Sequence, residues 1–244
     1  MTDIRTIRGR LIPALFILLL SVPVKAQFRT GDYIALTAAA AAGVILYNND
    51  AAVNRKFMSY QNTFSDHLSA GAEVFGSKYV LGAGFLGLYG FSAFTGNGGL
   101  KDTSVLAIKS FAVTGAVTYS LKVLFHRHRP SENTDPYKFS GPSFKIDNLS
   151  LPSGHTAFAF STAKIFNDLY GDIKFLPYLT YSAAALTGLS RIYEGEHWAS
   201  DVLAGAVIGY CSAVLILKSN RSDRILVHPD IKQDRTGLNL VVSF

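Results

Sequence analysis

The chain has 244 residues, of which 49% are hydrophobic and only 16% charged, and its formal net charge is +6. The charged fraction falls below the ~25% usual for soluble domains. A mean hydropathy of +0.23 is apolar for a soluble protein and modest for one that crosses a membrane many times. The single cysteine, Cys211, excludes an internal disulfide and a cysteine-based metal site. It lies in an apolar run and is expected to be packed.

The N-terminus reads as a targeting segment. "MTDIRTIRGR" supplies Arg5, Arg8 and Arg10 against Asp3, and "LIPALFILLLSVPV" follows as an apolar stretch. Val24 and Ala26 then hold the small-residue positions of a cleavage site before Gln27. Residues 1–26 are therefore a signal peptide of bacterial export type, or an uncleaved anchor, since Pro13 and Pro23 do not forbid insertion. Residues 27–77 form an N-terminal helical region, partly peripheral. Its apolar stretch, 33–47, has fifteen residues before Asn48. That covers about 23 Å, short of a ~30 Å hydrocarbon core. Residues 48–77 are polar to amphipathic.

A core of helices is predicted over 78–219, in apolar segments 78–95, 103–125, 154–170, 175–193 and 197–217. Gly82, Gly84, Gly87 and Gly90 suit close helix packing. Lys109 interrupts the second segment, and Lys164, Asn167 and Asp168 interrupt the third. The segments 78–95 and 197–217 are long and uncharged apart from Asp201, which favours a membrane location. Between helices lies a polar loop, 126–152, of a length that usually signals function or disorder. Lys122, Arg127, Arg129, Lys138 and Lys145 cluster between 122 and 145, which suggests an anionic ligand and not a nucleic-acid surface. In the tail, 220–244, Leu238, Leu240 and Val242 alternate with Asn239, Val241 and Ser243, as in a short strand after a turn at Thr236-Gly237. The fold class is thus all-α, a bundle of about five to six membrane helices with a strand-like tail.

Three clusters carry chemistry: "KVLFHRHRP" with Lys122, Arg129 and Pro130; "PSGH" with Pro152, Ser153, Gly154 and His155; and "SRIYEGEHWASD" with Ser190, Arg191, His197 and Asp201. Short connections make neighbouring helices antiparallel, so these helix ends face one side of the bundle. Lys122, Arg129 and Arg191 could surround a tetrahedral anion. Ser153 adds a hydroxyl, and Gly154 lets backbone N–H groups approach at a helix start. His197 and Asp201, four apart, share a face if both are helical. Asp201 could then hold one ring nitrogen of His197 and free the other for attack. His155 is placed to protonate a leaving oxygen. Each feature alone has an ordinary explanation as a cap, a turn or a basic loop. Jointly, eleven specified residues in order are not coincidence.

With those residues in place, the sequence resembles the type 2 phosphatidic-acid phosphatase / vanadium haloperoxidase superfamily. The signature Lys-x6-Arg-Pro, Pro-Ser-Gly-His, Ser-Arg-x5-His-x3-Asp is matched at every specified position, over a region of similarity from about 75 to 217. The resemblance implies a helical bundle of that superfamily's type. It implies His197 as nucleophile forming a phosphohistidine, Asp201 orienting it and His155 as general acid. It implies Lys122, Arg129, Ser153, Gly154 and Arg191 as phosphate ligands. No metal or other cofactor is implied, and vanadate is expected to inhibit as a phosphate mimic. His126 and His128 lie outside the signature and read as loop residues; Glu194 and Glu196 read as solvated.

The leading function is hydrolysis of a membrane lipid phosphate: phosphatidic acid, phosphatidylglycerol phosphate, a polyprenyl diphosphate or a lipid A phosphate. The alternatives are a soluble periplasmic acid phosphatase and, last, a vanadium-dependent haloperoxidase. The partners are then lipid and membrane, with no nucleic acid and the oligomeric state open. Lys218, Arg221 and Arg224 after the last helix agree with a cytoplasmic tail. If 33–47 does not cross, the site faces the periplasm from a bacterial inner membrane. If it crosses behind a cleaved signal, the site faces the cytoplasm.

Overall fold

The computed structural model describes residue 28 and residues 30–242, apart from 146–148, 223–224 and 233–234. The signal segment 1–26 lies outside the described residues. Among the described residues seven α-helices follow in order: α1 (Thr30–Met58), α2 (Thr63–Glu73), α3 (Lys78–Thr95), α4 (Gly98–Phe125), α5 (Gly154–Leu169), α6 (Leu176–Tyr193) and α7 (Ala199–Ser222). A 3-10 turn, Val74–Gly76, joins α2 to α3. Strands β1 (Ile225–Lys232) and β2 (Arg235–Val242) pair antiparallel. Thr236 and Gly237 lie inside β2, paired with Ile231 and Asp230, so the expected turn is not at Thr236-Gly237.

Local signals account for several boundaries. Asn62 caps α2 by accepting from the Ser65 N–H at 3.1 Å, and Asn97 caps α4 by accepting from the Leu100 N–H at 3.1 Å. Gly96 ends α3 in the left-handed conformation, φ 68°. Pro177 stands in the first turn of α6, where its missing N–H is not needed.

The first apolar stretch is corrected in length. The fifteen residues 33–47 sit within a helix of 29 residues, about 44 Å long. Asn48 and Asn49 do not end it. Their amides donate to Val44 O and Ile45 O, each at 2.8 Å, while Asp50 and Asn54 turn inward and are buried. α1 runs beside α7 for the height of the bundle: Tyr210 Oη donates to Asp32 at 2.5 Å near one end, and Ser200 N–H donates to Asp50 at 2.9 Å near the other. By length and composition, three helices could cross a membrane: α1, α4 and, over Ala199–Asn220, α7.

α5 and α7 form the centre. Ala157, Ile165 and Ala213 are fully buried, and Phe85, Leu106, Ala107 and Leu217 complete a core shared by α3, α4, α5 and α7. The polar residues of α5 find partners inside: Lys164 pairs with Asp168 at 3.1 Å, and Asn167 donates to Thr180 at 2.6 Å. Close approach rests on glycines other than those expected. A Cβ on Gly209 would lie 2.0 Å from Ala157 O, and one on Gly205 would lie 2.3 Å from Ser153 O. At Gly84, Gly87 and Gly90 nothing lies within 4 Å, so these do not seat a neighbouring helix. Large apolar side chains remain outward, among them Phe94 at 90% exposure and Tyr178 at 78%.

Candidate active site

Lys122 stands in the last turn of α4. His126 closes that helix at φ 45°, a left-handed conformation that histidine tolerates better than most residues. The loop then folds back on α4: Ser140 N–H donates to His126 O at 3.0 Å and Ser143 N–H to Val123 O at 2.9 Å. This return buries Arg127 completely and brings Arg129 to the bundle end. His126 is buried, and His128 Nε2 bonds Ser140 Oγ at 2.7 Å. At the other side of the loop, Ser153 N–H donates to Asp201 O at 2.9 Å, which ties the start of α5 to the start of α7.

A cavity of about 490 Å³ opens where these ends meet. Thr118, Lys122, Arg129, Gly154, His155 and His197 line it. Of this lining, Thr118 Oγ1 and Arg129 Nε are buried without a hydrogen-bond partner. Unpaired buried polar groups beside cations make an anion the fitting occupant. Burial first, then the charges of Lys122, Arg129 and Arg191, hold His197 well below the usual imidazole range. It is therefore neutral at pH 7, the form in which a ring nitrogen can attack. Burial, then the Arg191 charge, push His155 down to about 4, with Glu73 acting in the opposite direction.

Other expected residues stand behind this cavity. Ser153 is fully buried and its Oγ accepts from Thr156 Oγ1 at 2.9 Å. Arg191, 4% exposed, pairs with Glu73 at 3.0 Å and with Glu194. Arg129 pairs with Glu196. Glu194 and Glu196 are thus not simply solvated: each occupies an arginine expected to hold phosphate. Glu73 Oε1 also lies 3.4 Å from His155 Nε2, bridging it to Arg191.

The His197–Asp201 pairing expected from spacing is not formed. α7 begins at Ala199, so His197 sits in the preceding turn and the helical i, i+4 geometry does not apply. Asp201 Oδ1 accepts from Arg127 Nη1 at 2.5 Å, and Oδ2 accepts from Ser150 Oγ at 2.6 Å and from Trp198 N–H at 3.1 Å. Arg127, Asp50 and Glu73 are the residues that sequence reasoning missed. Asp50 had a signal of its own, the one carboxylate of α1 beyond its first turn. Arg127 had none that set it apart from Arg129.

Comparison with known proteins places this geometry. A family model described as the PAP2 superfamily matches residues 104–224. The lipid A 1-phosphatase of Porphyromonas gingivalis is 49% identical over 63 residues, 25% of this chain and 14% of that protein. The undecaprenyl-diphosphatase of Sulfolobus acidocaldarius is 35% identical over 78 residues, 30% of this chain and 37% of that protein. The chain therefore matches well under half of either relative. The crystal structure of Aquifex aeolicus LpxE is similar at a TM-score of 0.55 and 27% identity, over 68% of this chain and 92% of that one. The PAP2 type phosphatidylglycerolphosphate phosphatase of Bacillus subtilis is similar in fold at a TM-score of 0.60 and 18% identity, over 89% of this chain and 98% of that one.

Proposed function

Since the chain belongs to the PAP2 superfamily, we propose that it is a membrane phosphatase that removes a phosphomonoester or diphosphate group from a lipid. The observation that carries this reading is the cavity. Lys122, Arg129 and two histidines converge at the end of a bundle whose flanks are apolar.

In the reaction, Lys122, Ser153 and the backbone at Gly154 hold the phosphate, and Arg129 and Arg191 join them as their paired carboxylates give way. The free ring nitrogen of His197 attacks phosphorus. As the N–P bond forms, the bond to the leaving oxygen breaks and His155 gives that oxygen its proton. Water then attacks the phosphohistidine, His155 takes a proton from it, and the N–P bond breaks to release phosphate. A bound phosphate dianion offsets the neighbouring cations, which raises the proton affinity of His155 from its low value in the empty site. The steps use side chains alone, so activity is expected to persist after a chelator and to be inhibited by vanadate. Phosphate release from a panel of phosphatidic acid, phosphatidylglycerol phosphate, polyprenyl diphosphate and lipid A tests the reading. Release from none of them, or an unchanged rate in His197→Ala, overturns it. Gly76 and Leu149, from the two polar stretches, also line the cavity, and head-group selection is assigned to those stretches.

α1, α4 and α7 are taken as the membrane-spanning helices, and the exposed Phe94, Tyr178, Leu86 and Ile45 support a membrane location over a soluble periplasmic protein. Release by osmotic shock without detergent would refute it. We place the site on the periplasmic face, because Lys218 and Arg221 stand in the last turns of α7, at its opposite end. With α1 crossing, this face puts residue 30 on the cytoplasmic side. Cleavage after residue 26 with α1 crossing would reverse it. A reporter at residue 220 that reads periplasmic overturns the assignment.

A further inference from the structure

We propose that Asp50 and Arg127 are positioning residues for the phosphatase reaction, acting through Asp201 on His197. The inference rests on the phosphatase reading above. Neither residue is part of the three-part signature, and Asp50 lies on α1, outside the segment 104–224 that the family model matches.

Arg127, Asp50 and Asp201 are all fully buried. The Arg127 fork is divided between two carboxylates, Nη2 on Asp50 at 2.8 Å and Nη1 on Asp201 at 2.5 Å. Nε and Nη2 also donate to Pro136 O, at 2.9 and 2.8 Å. Ser200 locks the junction. Its N–H donates to Asp50 Oδ1 at 2.9 Å, its hydroxyl donates to Asp50 Oδ2 at 2.5 Å, and Ser200 Oγ accepts from Arg127 Nη1 at 2.8 Å. The rings of Tyr47, Phe139 and Trp198 surround the guanidinium at 5.2, 5.5 and 5.6 Å. Charges so enclosed act on each other strongly, because no water screens them.

Two consequences bear on His197. First, a carboxylate has about four acceptor positions, and three on Asp201 are filled. His197 Nδ1 is buried with no partner, and Asp201, bonded to the N–H of the next residue, Trp198, keeps one position unfilled, which the proposal gives to the Nδ1 proton as the ring turns positive. Second, the net charge of the group matters. Arg127 with Asp201 alone would sum to zero and leave nothing to stabilise the ring as it becomes positive on forming the N–P bond. Asp50 adds one negative charge and makes the buried group a net anion. The role falls in the chemical step and not in substrate binding.

The test compares wild type with Asp50→Asn, Asp50→Glu and Ser200→Ala, each purified in detergent. Phosphate release is measured from the best substrate of the lipid panel, active sites are counted by the burst of phosphoenzyme, and His197→Ala is the blank. Expected are a fall in kcat per active site on the order of 10-fold in Asp50→Asn, an unchanged KM, and partial recovery in Asp50→Glu. Ser200→Ala, which keeps all three charges, is expected to lose severalfold in kcat at unchanged KM, and it decides the matter if Asp50→Asn does not fold. An unchanged kcat per active site in the variants that fold, or a rise in KM that accounts for the loss, overturns the proposal. A wild type that releases no phosphate sinks the phosphatase reading itself, a result distinct from an active wild type with indifferent variants.

Discussion

Glu73→Gln is expected to move the pH profile towards acid. Glu73 Oε1 lies 3.4 Å from His155 Nε2, with the side chains 39% and 32% exposed. At that exposure the dielectric of water is the fair choice, and Coulomb's law then gives about 1.2 kcal/mol, close to one pKa unit. The sign follows from the charges. The carboxylate favours protonated His155, so its removal lowers a pKa already pushed down to about 4. His155 must carry a proton to serve as the acid, so the competent fraction shrinks at every pH above that value. The alkaline limb of kcat/KM, which reports the free enzyme, should therefore shift down by about one unit in the variant. The assay is phosphate release from a short-chain lipid phosphate in detergent, followed from acid to neutral pH at fixed ionic strength. An unmoved limb, or a shift to higher pH, would refute the assignment of His155 as the acid and Glu73 as its partner.

The remaining predictions concern packing, competition and stability. Gly209→Ala puts a Cβ 2.0 Å from Ala157 O, where ordinary contact begins at 3.4 Å, so α5 and α7 must part by about 1.4 Å. The expected cost is about 1–3 kcal/mol with a marked loss of activity, read by melting and by kcat; Gly84→Ala, with open space around it, is the control and should change neither. Glu196→Gln frees Arg129 from an exposed ion pair worth about 0.2–1 kcal/mol, so inorganic phosphate should inhibit up to about fivefold more tightly, and weaker inhibition would contradict this. His155 and His197 both sit below the ordinary 6.5 in the folded protein. The unfolded chain therefore takes up protons that the folded one refuses, and stability present above about pH 6.5 is lost as pH falls towards 4. Melting temperature across that window should drop less steeply in His155→Gln than in wild type.

The meeting of Lys122, Arg129, His155 and His197 was legible because it depends on topology. Short connections force antiparallel helices, and residues at successive ends then share a side. The pairing of His197 with Asp201 was not legible. It assumed that both lie on one helix, whereas α7 starts two residues after His197 and the carboxylate turns to Arg127. Asp50 was lost for a related reason. Hydropathy stops at Asn48, but the two asparagine amides satisfy their own backbone and the helix continues, so a polar residue can end an apolar run without ending its helix. The glycines teach the limit of spacing. Gly205 and Gly209 are four apart, as are other small residues on α3, yet only a neighbour's position decides which pair is a contact.

Arg127 joins the first described helix to the last, and this sets where the chain can be cut. A fragment trimmed to the matched region, 104–224, would keep Arg127 and Asp201 but lose Asp50 and with it Glu73. Removing one partner of a buried ion pair costs about 3–5 kcal/mol, a large part of the about 5–15 kcal/mol that holds a domain together. The smallest piece that folds is therefore set by the partners that the buried Arg127 and Ser200 need at the bundle end, and it reaches back through α1 well beyond the region that family likeness marks out.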